Sequence, residues 1–254
     1  MVKIGLKLWN TNENYIPIAI DLFKDKIFDY IELYIVPENT DKLPLWQKLE
    51  IPFHVHAPHS AHNMNLSDEN KREYNFKLYQ ETKYFADGLD AKYIVFHGGT
   101  NGNYKEAASQ IKSFNDKRSL IENKPYTVLK FIKANEYTGT TPEELKYIKE
   151  FANCGFCLDI GHAICSANSH KVDPYEYINQ YSKLNPNKLH ISDIHTDTVY
   201  DEHLNFGLGN LNFNKLTTLL KNIGDVTIET NKKSKENLDD FVKDVEFLRR
   251  VINE

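Results

Sequence analysis

Residues 92–122 read KYIVFHGGTNGNYKEAASQIKSFNDKRSLIE. The first part, Tyr93-Ile94-Val95-Phe96-His97, is a short β-branched and aromatic run that closes on a histidine before Gly98-Gly99. A helix-like stretch follows over 104–114, and then Ser119-Leu120-Ile121-Glu122, a second apolar run closing on an acid. Strand, helix and strand in that order is the repeating unit of a parallel sheet, because parallel strands can be joined only by a long crossover.

The same alternation extends in both directions. Strand candidates lie at 3–8, 29–35, 52–56, 92–97, 119–122, 155–159, 188–192 and 225–229. Helix-like stretches lie at 15–23, 42–49, 69–89, 104–114, 142–152, 174–181, 214–222 and 238–251. Thr141-Pro142-Glu143-Glu144 reads as a capped helix start with proline in the first turn. The last stretch spaces Leu238, Phe241, Val242, Val245, Leu248 and Val251 by helical intervals, which predicts one buried stripe. Eight alternations in 254 residues predict an α/β protein, a single (β/α)₈ TIM barrel covering 1–254, with a doubly wound open sheet as the competitor.

Composition narrows the class. With 41% hydrophobic and 26% charged residues, 11 Gly and 9 Pro, the chain is globular. No apolar run approaches the ~18 residues of a membrane span, and Met1-Val2-Lys3-Ile4-Gly5 has no signal-peptide pattern. Three cysteines, Cys154, Cys157 and Cys165, make no disulfide framework. The expectation is a cytoplasmic monomer with no membrane partner. The net charge is −5 and only four basic residues are arginine (Arg72, Arg118, Arg249, Arg250), which is not the profile of a dedicated nucleic-acid binder.

The chemistry sits at the strand ends. His56, His97, Glu122, Asp159 and Glu229 close the third, fourth, fifth, sixth and eighth strand candidates, and His190 lies in the seventh. His162 follows Asp159 by three residues, and Asp201-Glu202-His203 forms an Asp-x-His pair before Gly207-Leu208-Gly209. In a parallel barrel the C-terminal strand ends meet at one mouth, where sites are built. A lone strand-end histidine is normally a hydrogen-bonded structural residue. Six successive strands carrying such residues point instead to divalent metal, because clustered carboxylates repel one another unless compensated. Mixed His/Asp/Glu ligation suits zinc, manganese or iron.

Other features carry less. Cys154-x-x-Cys157 has no second pair and reads as packing, and His54 reads as structural. His59 and His62, in the loop after the third strand, are candidate substrate contacts. His170 and His195 read as surface residues. Gly98-Gly99 and Gly207-Leu208-Gly209 lack the fingerprint of a phosphate loop. Lys232, Lys233 and Lys235 read as a solvated loop or an anion contact.

In series these motifs resemble the endonuclease IV family (AP endonuclease family 2) among the xylose-isomerase-like TIM barrels. The resemblance rests on His56-Ala57-Pro58 with Asn65-Leu66, Phe96-His97-Gly98-Gly99, Ile121-Glu122-Asn123 and Cys157-Leu158-Asp159-Ile160-Gly161-His162-Ala163. It continues through Leu189-His190-Ile191-Ser192-Asp193, Asp201-Glu202-His203 and Ile228-Glu229-Thr230. It implies up to three zinc ions: one on His56 and His97, a second on Asp159, His190 and Glu229, Glu122 bridging the two, and a third on His162, Asp201 and His203. It further implies a phosphodiester hydrolase of DNA repair, in which a metal-bound hydroxide attacks the phosphate of abasic-site DNA or a related phosphate ester.

Two loops depart from that family's pattern. Residues 36–41 carry no arginine, and residues 59–64 lack the bulky aromatic that the family wedges into duplex DNA. The rival within the same barrels is a divalent-metal sugar isomerase or epimerase. It would need only Glu122, Asp159, His190 and Glu229 around one ion, with Glu122 and Glu229 as the acid/base pair. A metal-binding barrel without catalysis is the third possibility.

Overall fold

The computed structural model describes residues 2–253. Eight parallel strands close into a barrel in sequence order: β1 (Lys3–Trp9), β2 (Tyr30–Tyr34), β3 (Phe53–His56), β4 (Ile94–His97), β5 (Ser119–Glu122), β6 (Gly155–Asp159), β7 (Lys188–Ile191) and β8 (Asp225–Ile228). Closure is made by β1 pairing with β8, with Ile4 against Val226 and Leu6 against Ile228. No edge is left open, so the open-sheet competitor is excluded. Among the described residues no helix is long and apolar enough to cross a membrane.

Among the described residues nine α-helices surround the strands: α1 (Ile16–Lys24), α2 (Leu43–Trp46), α3 (Arg72–Gly88), α4 (Tyr104–Phe114), α5 (Pro142–Ala152), α6 (Ile160–His170), α7 (Pro174–Ser182), α8 (Thr217–Ile223) and α9 (Asp239–Asn253). α5 begins as the sequence predicts: the Thr141 side chain accepts from the Glu144 amide, and the Glu144 carboxylate reaches back to the amides of Gly139 and Thr140. In α9, Leu248 and Val251 complete the stripe begun by Leu238, Phe241 and Val245, but Val242 is only half-buried. Asp244 is buried on that helix, accepting from Thr230, Asn205 and the Phe206 amide, and so ties α9 to two loops at the barrel mouth.

One helix escaped the sequence pattern. α6 starts directly after β6, with Asp159 as its N-cap accepting from the His162 amide at 2.7 Å. Its residues 160–167 are all buried, so it shows no polar face, and Gly161, Ser166, Asn168 and Ser169 are weak helix formers.

Strand alternation sorts the side chains into two compartments. Leu6, Leu8, Ile31, Leu33, Val55, Phe96, Ile121, Leu158, Leu189 and Ile228 face outward into the main core under the helices. The inward set is mostly polar, apart from a small cluster of Val95, Leu120 and Cys157. Lys188 of β7 reaches Tyr30 of β2 (2.9 Å) and His54 Nδ1 of β3 (2.9 Å), contacts that span the barrel interior. It also donates to Thr227 and pairs with Glu32 at 2.7 Å. His54 is therefore structural, stacked on Tyr30 at 4.0 Å between centroids.

Removing one partner of a buried pair strands the other. Lys188→Met is expected to lower unfolding free energy by roughly 3 kcal/mol in urea denaturation. A loss under about 0.5 kcal/mol, the range of an ordinary surface change, would contradict this account of the interior.

Candidate metal centre

Strand register brings the predicted residues together at the C-terminal mouth. His97 lies beside Glu122 in the β4–β5 pairing, and Asp159 beside His190 in β6–β7. Glu229 follows the last residue of β8 and is held there by its backbone N–H, which donates to the Ile191 carbonyl. His162 sits in the first turn of α6. Asp201 and His203 arrive on the loop after β7, with His203 in the left-handed backbone region at φ 50°. A non-glycine residue there costs of order 1–3 kcal/mol unless its surroundings hold it. Its Nδ1 donates to the Glu229 carbonyl at 2.7 Å.

Glu122, 1% exposed, lies at the centre. Its Oε2 is 3.2 Å from His56 Nε2, 3.3 Å from His97 Nε2 and 3.3 Å from His190 Nδ1, and its Oε1 is 2.9 Å from His162 Nδ1. Burial works against its charge, yet the imidazoles of His97 and His190 hold the carboxyl well below the usual range. Asp201 Oδ2 lies 2.7 Å from His203 Nε2 and 3.1 Å from His162 Nε2. Burial pushes Asp159 up to about 6, against the pull of His162.

Several of these atoms lack what a buried polar atom requires. His97 Nε2, His190 Nδ1 and Glu122 Oε1 are close to polar neighbours but aligned with none for a hydrogen bond. Such orphans are rare in proteins and demand a partner. Among the described residues five groups lie close enough for a shared cation: His56–His97–Glu122, Glu122–Asp159–His162, His162–Asp201–His203, Glu122–Cys157–His190 and Glu32–His190–Glu229. His190 and Glu229 group with Glu32 rather than with Asp159, because Lys7 draws Glu229 toward Glu32 at 2.5 and 2.6 Å. The donor set fits divalent zinc, manganese or iron.

Three charged residues at the site were not found by strand-end reading. Lys7 and Glu32 come from β1 and β2, and Lys124 follows Glu122-Asn123. The first two had a signal: each is a charged residue inside an apolar strand on the face opposite its outward-facing neighbours, which places it in the barrel. Lys124 had none. Glu32 accepts from His190 Nε2 at 3.0 Å, which leaves Nδ1 turned to the mouth. His56 is oriented likewise, its Nδ1 donating to the Ala57 carbonyl at 2.7 Å. Burial and the Lys7 ammonium both disfavour protonation of His56.

A cavity of about 420 Å³ opens over the cluster. Leu129, Phe131, Ile132 and Tyr137, from the segment between β5 and α5, line it together with Trp9 and Lys232. Burial pulls Lys232 down to about 8. His59 lines the cavity and stacks on His97 at 5.2 Å. His62 does not line it; its Nδ1 bonds to the hydroxyl of Tyr34, which does. The Gly207-Leu208-Gly209 amides cradle no ligand, since Asp193 accepts from Gly207 and Gly209 and a Cβ on Gly209 would lie 2.5 Å from that carboxylate. Cys157 is buried beside His190, and burial pushes its thiol up to about 12.

The family model for xylose isomerase-like TIM barrels matches residues 28–251. The chain belongs to that family. Its curated relatives include the uncharacterized proteins MJ1311 and MJ1614 of Methanocaldococcus jannaschii. The first is 28% identical over 237 residues, covering 87% of this chain and 78% of the relative; the second is 25% identical, covering 94% and 96%. Among solved structures, a D-tagatose 3-epimerase-like protein superposes with a TM-score of 0.71 at 23% identity, covering 99% of this chain and 97% of the other. Endonuclease IV from Thermus thermophilus gives 0.71 at 16%, covering 99% of both chains. At these identities the likeness is one of fold. Proteins of this fold include an endonuclease and an epimerase-like protein, so the reaction has to be argued from the site.

Orphaned buried lone pairs predict that a fitting cation stabilises the fold. Zinc at about 100 times its dissociation constant should contribute about 2.7 kcal/mol and raise Tm by roughly 5–10 °C, reversed by chelator. An unchanged melting curve under excess zinc, manganese and iron would remove the metal assignment.

Proposed function

We propose that this barrel is a metal-dependent phosphodiester hydrolase, resembling endonuclease IV, that acts on a compact phosphate ester. The observation that carries the proposal is the convergence of His56, His97, His162, Asp201 and His203 on the space around Glu122, in addition to Asp159, His190 and Glu229. A one-ion isomerase has no use for those five residues. Ions bound by these residues supply Lewis acidity at a phosphoryl oxygen and lower the pKa of water toward ~7.

The chain's own residues define the rest. Glu122 would be the ligand shared between cations, since its two oxygens lie near His56, His97, His190 and His162. Burial opposes the charge of Glu229, yet His190 and Lys7 hold its carboxyl down at about 2, which keeps an acceptor beside them. Trp9 and Phe131, 48% and 71% exposed, offer flat apolar faces to the substrate's flanks. His59 and Lys232 line the same cavity.

Arginine placement favours a compact substrate over a long duplex. Arg72 pairs with Glu106, Arg118 with Asp116 and Asp87, Arg249 with the carbonyls of Lys26 and Ile27, and Arg250 lies over Phe247. None lines the cavity. Abasic-site DNA is thus the comparison substrate.

The expected result is hydrolysis of a small activated phosphodiester such as bis(p-nitrophenyl) phosphate by zinc- or manganese-loaded protein, with weaker nicking of an abasic duplex. Glu122→Gln should lower turnover on the order of a hundred- to a thousand-fold, the weight of several kcal/mol of charge stabilisation. Turnover of a ketose with no phosphodiester cleavage would favour the epimerase reading, for which Glu122 and Glu229, 3.3 and 3.0 Å from His190 Nδ1, stand as an acid/base pair.

Glu32→Gln should weaken zinc binding roughly 10- to 100-fold in chelator competition, because His190 loses the carboxylate that fixes its tautomer. Unchanged affinity would show that Glu32 serves the fold alone.

A further inference from the structure

The segment that follows β8 is pinned on both sides of Lys232. Before it, Asn231 donates its backbone N–H to the His203 carbonyl at 3.0 Å and its side chain to the Glu202 carbonyl at 3.1 Å. After it, the Ser234 and Lys235 carbonyls accept from the Tyr15 hydroxyl at 2.5 Å and the Asn14 side chain at 2.6 Å. Lys232 itself is half-buried and lines the cavity. Yet no carboxylate lies within 4.0 Å of its ammonium among the described residues. It makes one long contact, 3.4 Å, to the Thr230 carbonyl. An ammonium carries three donors, so most of its capacity is unused. Lys7 in the same cavity is, by contrast, committed to Glu32 and Glu229.

The turn after β1 adds a neutral donor. Asn12 lines the same cavity, and its Oδ1 accepts from the Trp9 backbone N–H at 2.8 Å. That bond fixes the carboxamide and leaves Nδ2, its donor end, without a partner among the described residues. β1 and β8 pair where the barrel closes, and the bonds from Asn14 and Tyr15 dock the two loops on one another. One wall of the cavity thus presents a fixed ammonium and a fixed amide donor with nothing to bind, beside a floor that carries the clustered acids and imidazoles.

We propose that Lys232 and Asn12 form an anion subsite on the β8–β1 wall that holds a second, non-scissile phosphate of the substrate. This rests on the phosphodiesterase reading above and deepens it: the preferred substrate is a compact phosphodiester that also carries a terminal phosphate. A lysine ammonium suits that group as a point charge, and the Asn12 amide supplies a directed hydrogen bond to a second oxygen. The pocket needs no arginine for this, and a substrate with one phosphate would leave both donors idle.

Calorimetric titration of the zinc-loaded full chain with thymidine 5′-phosphate and thymidine 3′,5′-bisphosphate tests this, because the two ligands differ by one phosphate and neither is a diester. Wild type should bind the bisphosphate about tenfold more tightly, the weight of a charge-assisted hydrogen bond. Lys232→Gln should bring the ratio of affinities close to one, and Lys232→Arg, which keeps the charge, should retain most of it. Asn12→Asp keeps the acceptor for Trp9 but replaces the donor with an anion, so it too should abolish the preference. This second variant carries the test should Lys232→Gln fail to fold. A wild-type ratio near one overturns the subsite. So does a preference that survives in folded Lys232→Gln and Asn12→Asp. A preference that is present in wild type and lost in these variants, in a protein that cleaves no phosphodiester, upholds the subsite and overturns the hydrolase reading alone.

Discussion

The Glu32 carboxylate is fully buried, and four donors converge on it: Lys7, Lys188, Thr227 and His190, all within 3.0 Å. Moving a lone carboxylate into such an interior costs several kcal/mol even after relaxation. Here it is repaid by two ammonium groups and two hydrogen bonds, and the donors come from three other strands, β1, β7 and β8, gathered around β2. The network does what an apolar barrel interior does in other members of the fold class, locking the strands in register. It also passes order upward. The same contact that satisfies Glu32 fixes the His190 ring, and the same ammonium that neutralises Glu32 steers Glu229.

That dependence explains why the mouth can gather so many acids and imidazoles without collapse. Glu122 sits directly above a layer that already carries compensating charge, and two of its imidazole neighbours, His56 and His190, have their outer nitrogens committed. His56 donates a hydrogen bond to the Ala57 carbonyl, His190 to the Glu32 carboxylate and His203 to the Glu229 carbonyl. With one nitrogen committed in each ring, the other must present its lone pair inward whenever the ring is neutral. The orphaned His190 Nδ1 follows from this commitment: it ends a hydrogen-bond chain that starts at Glu32 and finishes pointing at the centre.

Much of this was legible in the sequence, for identifiable reasons. Parallel strands with helical crossovers have a strong period signature, so β1 to β8 were each found near their observed bounds. Strand ends in a barrel share one mouth, so His56, His97, Glu122, Asp159, His190 and Glu229 could be grouped without coordinates. α6 was not legible, because a helix buried on every side has no amphipathic stripe. The Glu32 network was only half legible. Reading strand ends for ligands overlooks the layer one pleat below, where charged residues interrupt otherwise apolar strands. His62 stands apart from that grouping: its Nδ1 meets the hydroxyl of Tyr34, and Tyr34 rather than His62 lines the cavity.

Within this family the sheet and the ligand-bearing strand ends leave the chemistry open, so the choice of reaction falls to the charges added around them. Lys7 occupies the space between Glu32 and Glu229, and a glutamate clamped by an ammonium at 2.5 Å is a poor shuttle for protons, because giving up that contact opposes each protonation. The same clamp suits a site in which carboxylates remain charged throughout and hold cations. Glu122, surrounded by imidazoles and kept charged by them, has the same character. An epimerase needs its two glutamates to exchange protons with carbon; a phosphoryl-transfer site needs them to stay anionic while the charge of the reacting phosphate is neutralised. The electrostatics of the two glutamates therefore favour hydrolysis on grounds independent of how many histidines the mouth contains.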